Sequence, residues 1–84
     1  MSILKVSIRQ IKAARSLLGW SQEDLADQSA ISLPTIKRLE AGDGSLGGRK
    51  ETIEAIHSAL SKGGVVFIPE NGGGAGVRLK KGRG

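Results

Sequence analysis

Three serines stand where helices can begin, and the intervals between them constrain the fold more tightly than any other feature of the chain. Ser7, Ser21 and Ser32 each precede a stretch with helical spacing, and a serine hydroxyl at an N-cap accepts a backbone N–H that the first helical turn leaves unpaired. Ser7 is followed three places on by Gln10, the capping-box spacing. Ile8, Ile11, Arg15 and Leu18 then recur at helical intervals up to Gly19, a good C-terminal stop. The spacing predicts a first helix from Ser7 to Leu18. Behind Ser21, Glu23 and Asp24 place negative charge in the first turn, where the helix dipole favours it, so a second helix runs from Gln22 to Ser29. Only Ala30 and Ile31 intervene before Ser32. That serine caps a third segment carrying Pro34 early, where no intrahelical N–H is missed, and ending before Gly42. The chain is thereby committed to short helices joined by tight turns.

The stretch Gly42 to Gly48 is too rich in glycine for regular structure and reads as a loop. Beyond it Ile53, Ile56 and Leu60 share one face of a fourth helix that ends at Gly63-Gly64. The character then changes. Val65-Val66-Phe67-Ile68 is a short β-type run, residues 69 to 76 are turn-rich, and Gly76-Val77-Arg78-Leu79-Lys80 alternates apolar with basic as a half-buried strand does. The expected architecture is mainly α: a four-helix domain over residues 1–64, a β-hairpin over 65–80 and a flexible tail over 81–84. The run Gly72-Gly73-Gly74 is no phosphate loop, because the Lys-Ser/Thr pair and the helix that this mechanism needs do not follow it. It reads as a hairpin loop.

At 84 residues the chain is near the lower size at which a domain holds itself folded without staples, so help from a dimer partner is expected. It has no cysteine and a single histidine, His57, which removes disulfides, thiolate chemistry and a histidine-cluster metal site; no cofactor is expected. No His, Cys or carboxylate pair is placed for acid–base or nucleophilic catalysis. The net charge of +5 fits a polyanionic partner. The excess is not concentrated: eight cations face five anions in residues 1–50, and five face three beyond. The longest apolar run, Val65 to Ile68, is far below membrane-spanning length, and Met1 to Ser7 lacks a signal peptide's apolar core, so a cytoplasmic protein is expected.

Inside the second and third helices, Leu25, Ala26, Ile31, Ile36 and Leu39 are spaced to meet in one small core, with Ala26 small enough for close helix approach. The opposite face carries Ser32, Leu33, Thr35, Lys37 and Arg38, a mix of hydroxyl, methyl and cation suited to base edges in a major groove. The run from Trp20 through Ser21-Gln22-Glu23-Asp24-Leu25-Ala26 and Ile31-Ser32-Leu33-Pro34-Thr35-Ile36-Lys37-Arg38 to Gly42, with Ile11, Arg15 and Leu18 upstream, closely resembles the Cro/phage-repressor (XRE-type) helix-turn-helix family. The resemblance extends over residues 7–60. The ending from Phe67-Ile68-Pro69-Glu70-Asn71 to Leu79 looks like the tail of a group of small bacterial regulators within that family.

The resemblance implies a lambda-repressor-like fold and a role for each matching residue. Gln22 would touch a DNA phosphate while bracing the recognition helix. Ser32, Leu33, Pro34, Thr35 and Arg38 would lie on that helix's exposed side, with Arg38 reading a base through guanine O6 and N7 and Lys37 meeting phosphate. Leu33 and Pro34 depart from the polar residues of some phage repressors and suit thymine methyls. Arg15 and Glu40 would pair across the bundle and take no part in reading. Ala30 stands where the family usually has glycine, so either it accepts strain at positive φ or the turn differs. Arg49 and Lys50 are open equally to phosphate contact and plain exposure, as Lys80, Lys81 and Arg83 are to a phosphate-binding arm or a solubilising tail. Trp20 reads as packing and His57 as a surface or half-buried helix residue.

These readings predict a sequence-specific transcriptional regulator, a repressor with its own gene among the candidate targets, binding an inverted-repeat operator in double-stranded DNA as a homodimer. Helix four or the hairpin would supply the dimer contact, through Val65, Phe67, Ile68, Val77 and Leu79, since an open apolar hairpin otherwise offers unpaired edges. The competing reading is a protein-binding module, an antiactivator or antitoxin, built on the same fold. Gln22, Lys37 and Arg38 weigh against it, because a module that binds only protein need not keep them.

Overall fold

The computed structural model describes residues 6–42 and 50–80. Four helices, α1 Ile8–Leu18, α2 Gln22–Ser29, α3 Leu33–Glu40 and α4 Lys50–Gly63, are followed by β1 Val65–Ile68 and β2 Gly76–Leu79. This is the mainly α architecture with a C-terminal hairpin that the cap spacing and periodicity predict. Arg49, most of the loop before it and the tail beyond Lys80 lie outside the described residues. Among the described residues no helix is long and apolar enough to cross a membrane.

All three serines cap helices. Ser7 Oγ accepts from the Gln10 backbone N–H at 3.1 Å while Gln10 Oε1 accepts from the Ser7 N–H at 2.9 Å, a complete capping box. Ser21 and Asp24 form a second box at 3.0 and 2.8 Å, so Asp24 both complements the dipole and closes the cap. Ser32 Oγ accepts from the Thr35 N–H at 3.4 Å. α1 stops at Gly19 with a left-handed φ of 69°, and α2 stops at Ala30 with φ 62°. Ala30 is the only non-glycine with positive φ among the described residues. An L side chain there costs roughly 1–2 kcal/mol, so the tight turn keeps the left-handed path and Ala30 carries the strain.

The core draws on every helix. Ile11 from α1, Leu25 from α2, Ile36 from α3, and Ile56 and Leu60 from α4 are each fully buried, worth about 1.5–3 kcal/mol apiece against exposure. Leu39 joins them, while Ala26 and Ile31 pack at the margin. Trp20 also packs against this core. A Cβ on Gly63 would come within 2.9 Å of Trp20 Cζ2 and Leu18 Cδ1, so the indole can settle on the end of α4 only because position 63 has no side chain.

The strands pair antiparallel, with Val65 opposite Leu79 and Phe67 opposite Val77. Alternation along each strand turns Val65, Phe67 and Val77 toward the helices. Val65, expected at a dimer contact, is 2% exposed: its side chain is already packed inside its own chain, while Leu79 is half exposed. Ile68, Phe67 and Val77 are half-buried. The hairpin is also tied down by Gln10, whose Nε2 donates to the carbonyls of Ile68 at 3.2 Å and Gly76 at 3.0 Å. Between the strands the Glu70 carboxylate accepts from the Gly72 and Gly74 N–H groups at 3.1 and 3.3 Å. The glycine run is thus organised around the chain's own carboxylate.

Candidate nucleic-acid interface

The arrangement of α3 is set from behind by one charge cluster. Glu40, the last residue of α3, is 5% exposed. Arg15 of α1 donates to it through Nε to Oε2 at 2.9 Å and Nη2 to Oε1 at 2.8 Å, the two-pronged geometry a guanidinium makes with a carboxylate. The third arm, Nη1, donates to the Trp20 carbonyl at 2.9 Å, and Gln22 Nε2 at the start of α2 donates to Glu40 Oε1 at 3.0 Å. One buried carboxylate therefore gathers α1, α2 and α3 at a single point. Ser29, buried at the end of α2, donates its hydroxyl to the Leu25 carbonyl at 2.7 Å and accepts from the Ile31 N–H at 3.3 Å, which steadies the turn into α3.

With Ile36, Leu39 and Glu40 facing inward, α3 presents its other side to solvent. Ser32, Pro34, Lys37 and Arg38 are exposed, and Leu33 and Thr35 half-buried. The Ser32 hydroxyl donates to Thr35 Oγ1 at 2.9 Å, so the two hydroxyls at the start of α3 are held together. Lys37 and Arg38 lie in the last turn, where the helix dipole favours cations. Among the described residues neither makes a salt bridge. Lys50, the first residue of α4, is exposed.

A family model described as helix-turn-helix matches residues 11–61, from α1 through α4. The chain belongs to the Cro/C1-type helix-turn-helix family. It is accordingly a DNA-binding helix-turn-helix regulator, in a family that is generally not enzymatic. Comparison with curated proteins gives no match. The matched span contains the α2–α3 unit and the helices that support it, and stops short of the hairpin.

Of the residues singled out in the sequence, the structure brings Arg15, Gln22 and Glu40 into direct contact and sets Ser32, Leu33, Pro34, Thr35, Lys37 and Arg38 along one helix. Gln22 donates to Glu40, the last residue of α3. Two contacts lack a sequence signal: the arm of Arg15 that reaches Trp20, and the reach of Gln10 to the hairpin. Gln10 shows itself in the sequence only as a capping residue, because its other partners lie 58 and 66 residues away.

Proposed function

We propose that this chain is a sequence-specific transcriptional repressor that binds an inverted-repeat operator as a homodimer and controls its own gene. The observation that supports it most is the contrast across α3: a buried ion pair with Gln22 behind the helix, and exposed Lys37 and Arg38 in front. Arg38 reads guanine through O6 and N7, a pairing worth ~1–3 kcal/mol of discrimination. Lys37 contacts phosphate, Gln22 adds a phosphate contact from the start of α2, and Leu33 and Pro34 meet thymine methyls. Ser32 and Thr35 lie at the groove-facing start of the helix, with Arg49 and Lys50 as secondary phosphate contacts. Residues 1–64 do the reading. The hairpin over 65–80 joins two protomers through half-exposed Leu79 and half-buried Ile68, with the solvent-facing parts of Phe67 and Val77, whose inner sides pack on the helices, so that two reading helices enter successive major grooves ~34 Å apart. With DNA as its target, its proposed place of action is the cytoplasm.

A mobility-shift titration against the DNA upstream of its own gene, at two salt concentrations, tests this. Specific affinity should fall steeply with salt, since log K drops with a slope of about −0.9 per neutralised phosphate. Sedimentation at micromolar protein should show dimers. A flat salt response would favour the protein-binding module, and monomers without cooperative operator binding would remove the homodimer.

A further inference from the structure

We propose that Asn71 is a site of structure-assisted deamidation, with Glu70 as the base and the Gly73 N–H as the oxyanion donor. Asn71 is the chain's only asparagine; it is exposed and is followed by Gly72, which has no side chain to shield its peptide nitrogen. Three hydrogen bonds converge there. Glu70 Oε2 accepts from the Gly72 N–H at 3.1 Å, so a carboxylate stands in position to take the proton that this nitrogen must lose to become a nucleophile. Asn71 Oδ1 accepts from the Gly73 N–H at 3.3 Å, which folds the side-chain amide back along the main chain and polarises its carbonyl. Glu70 Oε2 also accepts from the Gly74 N–H at 3.3 Å, which fixes the carboxylate in place.

The chemistry balances within the loop and water. Glu70 takes the proton from the Gly72 nitrogen, whose electron pair forms a bond to Asn71 Cγ. Negative charge collects on Oδ1, against the Gly73 N–H. Collapse breaks the Cγ–Nδ2 bond, and Nδ2 leaves as ammonia with the proton returned by Glu70. The resulting five-membered imide then adds water at either carbonyl and opens to aspartate or isoaspartate at position 71. A second carboxylate then stands next to Glu70, and in the isoaspartate product the main chain of the loop is longer by one carbon.

The test follows conversion of the peptide spanning Asn71 by mass spectrometry, in the intact folded protein at neutral pH and in the same chain unfolded in urea. The folded protein should convert faster. Glu70→Gln, which keeps an acceptor for the glycine N–H groups but no base, should slow the folded rate at least about tenfold, a modest share of the ~10²–10⁴ that a positioned base contributes in enzymes. Conversion as slow in the folded protein as in urea, or equal rates for wild type and Glu70→Gln, would overturn the proposal. The comparison in urea needs no variant, so it decides the matter even if Glu70→Gln rearranges the loop.

Discussion

Arg15 and Arg38 are the same side chain in opposite surroundings, and the difference gives each a distinct mutational signature. Arg15→Ala strips a buried carboxylate of its counter-charge, a loss of ~3–5 kcal/mol. In a domain of this size that lowers Tm by more than about 10 °C, and binding to every DNA sequence should weaken together. Arg38→Ala removes an exposed group, so Tm should move by no more than about 0.5 kcal/mol equivalent while base preference relaxes at one operator position. Thermal unfolding and site selection from randomised DNA check the pair, and identical behaviour would refute the division of roles. Ala30 makes a third case. Ala30→Gly relieves ~1–2 kcal/mol of left-handed strain and concedes ~0.4–1 kcal/mol of extra freedom to the unfolded chain. The net effect is a Tm a few degrees higher, and a lower Tm would mean that the turn does not carry the strain. The sequence could pose the question at Ala30 but not answer it: whether the helix or the turn yields depends on how Leu25 and Ile36 meet across it.

At the scale of elements, what was legible was whatever is encoded locally. Ser7, Ser21 and Ser32 mark three helix starts within a few residues of their partners, and the change from helical to alternating periodicity marks the hairpin. What joins the elements was legible only where the family resemblance supplied it, as for Arg15 and Glu40. Gln10 had no such guide. Its donor end satisfies two hairpin carbonyls while its acceptor end closes the α1 cap, and Gln10→Glu separates the two functions. Glutamate can still accept from the Ser7 N–H but has nothing to donate to Ile68 and Gly76. Ile68 and Gly76 still pair with each other in the ladder, so the change removes two added hydrogen bonds, worth about 0.5–1.5 kcal/mol each; amide exchange in β1 and β2 should quicken about tenfold while α3 keeps its protection. Uniform change across the molecule would show that the hairpin is not separately latched.

For the molecule as a whole, His57 links stability to pH. Its ring on α4 stands 4.6 Å from that of Phe67 on β1, and burial lowers its pKa below the ordinary 6.5. The unfolded chain therefore takes up a proton before the folded one does. Stability is full above about pH 6.5, falls as pH drops toward the lower folded pKa, and levels off beneath it. Urea unfolding at about pH 7.5 and about pH 5 should show a loss in the wild type that His57→Gln reduces; equal losses would discount the histidine. Another property follows from the joint between helix and hairpin. Only Gly64, with φ 118°, stands between the end of α4 and the start of β1; its N–H donates to the Ser61 carbonyl at 3.1 Å and its own carbonyl accepts from the Lys80 N–H at 2.7 Å. A connection that short has no slack. Two protomers gripping one another by their hairpins would behave as a gauge of fixed span, and an operator with one base pair inserted between its half-sites should lose cooperative binding outright instead of stretching the dimer to fit.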